Sequence, residues 1–185
     1  MLVASLTALA LAAAPPPKAS PLDEKKTEPG AVAAAKTLKF EPKTLVDGET
    51  LQVILGQRAL FRLDDKNLPV LAKVEEGKLA AAHPDGAVKE AFEAPPAGQV
   101  AAAVDGSAEK KQTVLKVWNG LSKTLNYRAV VLVMRRGSLA AVPVKVCAVA
   151  PGTVHTEAWP APIVAVGLGR FTQGGLPAAD CKTGG

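Results

Sequence analysis

A chain of 185 residues, 48% of them hydrophobic and 21% charged, is long enough to bury one ordinary core and too apolar to stay wholly disordered. The net charge of +5 comes with only 4% aromatic residues, which makes a nucleic-acid platform of stacked rings a poor expectation. The two cysteines, Cys147 and Cys181, both fall in the last quarter of the chain, which excludes a lipid-anchored N-terminal cysteine.

Residues 2–14, LVASLTALALAAA, are an uncharged apolar run of 13. A membrane-spanning helix needs about 20 such residues, so the run has the length of a secretory h-region instead. Small residues follow it, as signal peptidase requires, although no Lys or Arg precedes it. Residues 1–14 therefore read as a signal peptide, cut after Ala12 or Ala14, and the mature protein as periplasmic or secreted, with no membrane span. Residues 15–36 carry five prolines and mixed charge, and read as a disordered, Pro-stiffened linker.

From residue 37 short alternating segments are separated by turn residues. TLKF (37–40) alternates, VDG (46–48) is a turn, and Leu51, Val53 and Leu55 fall on one side of the next strand. ALFRL and LPVLAKV flank DDKN, the pattern of a hairpin with a loop of four to five residues. EEGKLAAAH has room for a short helix, and VKEAFEA and QVAAAV read as further strands. In TVLKVW, Leu115 and Val117 share one face, opposite Val114, Lys116 and Trp118. LNYRAVVLVM alternates cleanly and then turns apolar on both faces from Val130, as for a strand entering a covered region. Gly120 is expected at positive φ. LAAVPVKVCAV returns after RRGS, with Val142, Val144 and Val146 on one face. Pro143 cannot donate to a ladder, so this is expected to be an edge strand. These three segments read as an antiparallel meander. Ile163 to Phe171 is the last strand, while Glu157 and Trp159 belong to a structural loop before it. Turn signals every 8 to 14 residues, without helical periodicity, predict an all-β fold: a single antiparallel β-sandwich over residues 37–181, immunoglobulin-like in architecture, with a flexible tail at 182–185.

The run Trp118-Asn119-Gly120, Leu125-Asn126-Tyr127-Arg128-Ala129, Val146-Cys147-Ala148-Val149 and Glu157-Ala158-Trp159-Pro160-Ala161-Pro162-Ile163 resembles a group of exported, β-rich proteins of Gram-negative bacteria. The resemblance implies the compartment and a β-rich fold. It brings no activity and no catalytic residues with it.

Chemistry is sparse. No G-x-S-x-G, H-E-x-x-H, P-loop or EF-hand pattern occurs, so no catalytic residue, cofactor or metal ligand set is assigned. In an exported chain the cysteine pair reads as a structural disulfide; 33 residues separate the two, unlike a C-x-x-C redox motif. His83 and His155 are expected to be exposed. His155 and Glu157, two apart, would project from one face of an extended chain. Glu157, one of two acids after position 109, is expected to pair with a Lys or Arg. Residues 37–109 hold 8 basic and 12 acidic side chains, whereas residues 110–185 hold 10 basic and 2 acidic. Lys116, Arg128, Arg135, Arg136 and Lys145 are therefore the candidates for a patch that attracts an anion or a partner. The function these features favour is a non-catalytic exported module that binds a protein or envelope component, with homodimerisation through an open edge as one mode. A hydrolase with a dispersed site and a weak metal carrier joining His83 to His155 are the alternatives.

Overall fold

The computed structural model of the chain describes residues 40–135, 137–175 and 181. The signal peptide expected at 1–14, the linker at 15–36, Arg136 and the tail at 182–185 lie outside these residues, as does most of the strand expected at 37–40. Ten strands form: β1 (Leu45–Asp47), β2 (Thr50–Ile54), β3 (Gln57–Leu63), β4 (Pro69–Glu76), β5 (Val100–Ser107), β6 (Gln112–Asn119), β7 (Leu125–Arg135), β8 (Ser138–Val144), β9 (Val154–Trp159) and β10 (Ile163–Gln173). They make two five-stranded antiparallel sheets, β1-β2-β10-β7-β8 (sheet A) and β4-β3-β5-β6-β9 (sheet B), packed as a sandwich. A single 3₁₀ turn, Ala80–Ala82, falls where a short helix is expected. No helix among the described residues is long and apolar enough to cross a membrane.

Period-two patterning builds the core. Leu51 and Val53 of β2, Phe61 of β3, Leu115 and Val117 of β6, and Leu125, Tyr127 and Val131 of β7 meet between the sheets. Phe171 of β10 packs on Phe61 at 5.4 Å and stacks on Tyr127 at 6.4 Å between ring centroids. The β3–β4 hairpin forms as patterned, its loop held by the Asp64 carboxylate, which accepts bonds from the Lys66 and Leu68 N–H groups at 2.9 and 2.7 Å. β8 is an edge strand, as Pro143 requires. Leu55, expected inward with Leu51 and Val53, is 45% exposed because the chain changes sheets there. The Leu55 N–H still donates to Val164 of sheet A, while the next N–H, of Gly56, donates to Val104 of sheet B, with Gly56 at φ +82°.

Several expectations fail for reasons of packing. β6 and β7 lie in different sheets, so only β7 and β8 form a hairpin and the meander does not exist. Gly120, in the arch between β6 and β7, is not at positive φ. Glycine is needed there because a Cβ would sit 2.6 Å from the Gln99 carbonyl oxygen and 2.8 Å from that of Pro96. The outer face of β7 is not covered: Val130 and Leu132 are half-buried and Met134 is exposed. In β10 two register shifts, one after Ile163 and one around Arg170, break the expected alternation. The inward residues become Ile163, Val166, Leu168 and Phe171, because each extra residue flips the pleat. Glu157 and Trp159 lie in strand β9, not in a loop.

Sheet B is covered on both faces. The segment between β4 and β5 folds over its outer side, where Leu79, Ala82 and Phe92 meet Ala101, Ala103, Val114 and Trp118 in a second core. The expected strand VKEAFEA is part of this cover and is not a strand. Alanine at 101 and 103 leaves room for the cover to approach. Arg58 of β3 is trapped beneath it, only 4% exposed, with its guanidinium 5.4 Å from the Phe92 ring centre and 5.1 Å from that of Trp118. Its Nη1 donates to the Glu93 carbonyl at 2.8 Å, and its Nε lies 3.4 Å from the Glu75 carboxylate. Burial lowers the Arg58 pKa, while Glu75, Glu90 and Glu93 act to raise it. On β5 the buried Asp105 accepts bonds from the Leu79 N–H and from His83, at 2.8 and 2.9 Å, pinning the start of the cover.

Candidate functional site

The site grows from an interruption in sheet A. β8 pairs with β7 as far as Ala129↔Val144, and the next contact is Leu125↔Val149. Four residues (145–148) therefore span the distance covered by three (126–128), and the longer side bulges out. The bulge is held toward sheet B, where the Cys147 N–H donates to Glu157 Oε1 at 2.8 Å. Glu157 is opposite the core residue Leu115, and His155 is opposite Val117, so both point between the sheets from edge strand β9. They share one face, as their spacing implies, and the His155 Nε2 lies 3.1 Å from Glu157 Oε1. Trp159, next on that face, packs against the core. The Cys147–Cys181 disulfide forms here. Sulfur of Cys147, a ring nitrogen of His155 and a carboxylate oxygen of Glu157 lie within 4.8 Å of one another.

Beside the bulge a groove of about 910 Å³ opens onto the outer face of sheet A. Its floor is bare because Gly167 and Gly169 of β10 face outward between β2 and β7. A Cβ on Gly169 would lie 3.1 Å from the Glu49 carbonyl oxygen, and one on Gly167 would lie 3.3 Å from the Thr50 methyl, so side chains there would push β2 away. Val130 and Pro143 line the groove, as do Tyr127, Glu157 and both disulfide cysteines.

Tyr127 carries a buried hydroxyl that has no hydrogen-bond partner among the described residues. Desolvation first, and the Glu157 charge second, raise its pKa well above the usual phenol value. The neutral phenol therefore supports the fold fully below the unfolded value of about 10, and that support is lost as pH rises past 10 toward the folded value. Tyr127→Phe is expected to leave stability at pH 7 unchanged or slightly higher, since it removes an unpaired buried group. Above about pH 10 the wild type should fall relative to the variant by up to roughly 1.4 kcal/mol per pH unit. Tyr127 is the sole tyrosine, so tyrosinate absorbance followed alongside denaturation checks this directly. Ionisation at an ordinary phenol pKa in the folded protein would contradict it.

Of the five residues expected to make a basic patch, Arg128 and Lys145 line the groove, joined by Arg170. Lys116 is on the outer side of sheet B, 3.0 Å from the Glu90 carboxylate and against the Trp118 ring, so it does not belong to the patch. Arg135 sits at the β7–β8 turn, away from the groove lining, and Arg136 is outside the described residues. Arg170 escaped sequence reasoning because a bulge at φ +52° turns it outward between two apolar neighbours. Neither histidine is a free exposed side chain: His83 is held by Asp105 and His155 by Glu157. Among the described residues Glu157 pairs with that histidine and with a backbone N–H, and with no Lys or Arg. The two histidines belong to separate clusters, and among the described residues no serine lines the groove. No family model, no curated protein and no solved structure matches this chain.

Proposed function

We propose that this is an exported, non-catalytic binding protein of the periplasm or cell exterior, whose groove takes an extended acidic segment of an envelope protein. The observation that carries the reading is the groove itself. A glycine floor lets a chain lie close to sheet A, Val130 and Pro143 offer apolar contact, and Arg128, Lys145 and Arg170 surround it. Among the described residues of the lining the one carboxylate, Glu157, is already engaged by His155 and the Cys147 N–H, so the described lining presents net positive charge. The apolar opening run, the disulfide and the likeness to exported proteins of Gram-negative bacteria support the compartment. The immunoglobulin-like label describes architecture only. A true immunoglobulin domain bridges its two sheets through central strands, whereas Cys147 lies beyond an edge strand and Cys181 beyond β10.

The test places a photo-crosslinking side chain at Pro143 in intact cells. The protein is expected outside the cytosol, shortened by its first 12 or 14 residues, and crosslinked to a discrete partner. Arg128→Glu with Arg170→Glu should reduce that adduct at least about tenfold, and added salt should weaken it. A monomer without adducts, or an adduct indifferent to the charge reversal, would overturn the reading.

A further inference from the structure

Edge strand β9 turns a histidine and a glutamate into the sandwich at positions where its partner strand β6 has Leu115 and Val117. Two polar, ionisable side chains at core-facing positions call for a reason beyond packing. Directly against them lies the sulfur of Cys147, bonded to Cys181. From this juxtaposition we infer that the site is a redox-gated metal centre. The disulfide is its closed form, and reduction uncovers a site for a divalent zinc-like ion made by Cys147, Cys181, His155 and Glu157.

The donor set is right for such an ion: two thiolates, one imidazole and one carboxylate are four ligands of the kinds that zinc takes in tetrahedral sites. The spacing is close as well. Ligand atoms around a tetrahedral zinc stand about 3.3–3.8 Å apart, given bond lengths of about 2.0–2.3 Å. The His155 nitrogen and Glu157 oxygen are already 3.1 Å apart, and the Cys147 sulfur is within 4.8 Å of both. Contraction by about 1 Å completes these three. The Cys181 sulfur starts bonded to that of Cys147, outside this group of three, and moves in once reduction frees it. The ion takes the place of the present contact between His155 and Glu157.

The chemistry balances as follows. A dithiol reductant exchanges with the Cys147–Cys181 bond, becomes a cyclic disulfide, and leaves two protein thiols. Binding of the divalent ion then displaces the thiol protons into solvent. Two thiolates and a carboxylate around a dication carry one net negative charge. Lys145, Arg128 and Arg170 line the adjoining groove and favour both thiolate formation and the anionic complex.

The inference does not depend on what the groove binds, so the two readings fail separately. Full-length mature protein is titrated with Co²⁺ and then Zn²⁺, oxidised and after reduction by a phosphine that is removed before the metal is added. Reduced protein is expected to bind one equivalent per chain, with cobalt–thiolate charge-transfer absorption that Zn²⁺ bleaches and with measurable proton release. Oxidised protein should show no such band. His155→Gln and Glu157→Gln, checked for folding as oxidised proteins by near-ultraviolet circular dichroism, should each weaken binding by more than the roughly 10–100-fold typical of losing an outer-shell partner. A reduced protein that keeps its near-ultraviolet spectrum but shows no thiolate band would overturn the proposal. So would reduced protein that loses that spectrum and does not regain it with metal. Binding unaffected by both substitutions would have the same force.

Discussion

Replacing Arg58 by alanine is expected to lower folding stability by about 2–5 kcal/mol, because it empties a buried position beneath the cover and leaves a backbone carbonyl without its donor. The Glu93 carbonyl loses its donor, the Glu75 carboxylate keeps only the exposed Lys73, and a void opens beside the edge-to-face pair Phe92–Trp118. Arg58→Lys should recover little, since a single ammonium cannot contact both rings with a planar group while bonding a carbonyl. Arg58→Met should recover more, because it fills the space without burying a charge. Denaturant midpoints for the three variants, read by tryptophan fluorescence from Trp118 and Trp159, provide the check. A loss under about 1 kcal/mol for the alanine variant would mean that the guanidinium is dispensable to the cover.

Asn119→Ala is expected to cost about 3 kcal/mol through the arch that carries the chain from one sheet to the other. Asn119 is 1% exposed, and all of its polar capacity is used on backbone. Its Nδ2 donates to the carbonyls of Lys123 and Val149 at 2.9 and 2.8 Å, and its Oδ1 accepts from the Leu121 N–H at 3.0 Å. The Val149 contact ties the arch to the far end of the bulge beside Glu157. The substitution should therefore also speed amide exchange at Leu125 and Val149, which bond to each other across that bridge. Aspartate at the same position should not rescue it, since it offers no N–H to the two carbonyls. Unchanged exchange at both amides would show that the arch does not depend on the amide.

What could be read from the sequence was whatever depends on near neighbours. The Asp64–Asn67 loop, the faces of Leu115 and Val117, the edge position of Pro143 and the shared face of His155 and Glu157 all follow from local chemistry. The assignment of β6 and β7 to separate sheets does not, because a five-residue connection serves a broad hairpin or an arch equally well. β9 was hidden by its own contents, since its core-facing row begins His-x-Glu and so lacks the apolar alternation that marks a strand. The cover over sheet B was equally hidden. Ala101 and Ala103 look like weak strand residues until Leu79 and Phe92 are seen to fill the space above them. The candidate site was half legible for the same reason. The cysteine pair and the His-x-Glu spacing are sequence properties, whereas the orphaned Tyr127 hydroxyl and the outward turn of Arg170 depend on a bulge and on distant strands.

The central position of β10 in sheet A has a consequence for how the chain comes to be folded. Residues 165–169 pair with 50–54 on one side, and β7 pairs with β10 on the other, so β2 and β7 have no common partner until the last strand is present. High contact order of this kind slows folding, because a loop of more than 100 residues must close before the reward of pairing arrives. β3 to β6 have partners at hand within their own sheet, but the second layer that would bury their inner face stays open until β10 is in place. β10 thus acts as a keystone: partly assembled sheets stay exchangeable until it seats between β2 and β7, and the sandwich locks only then.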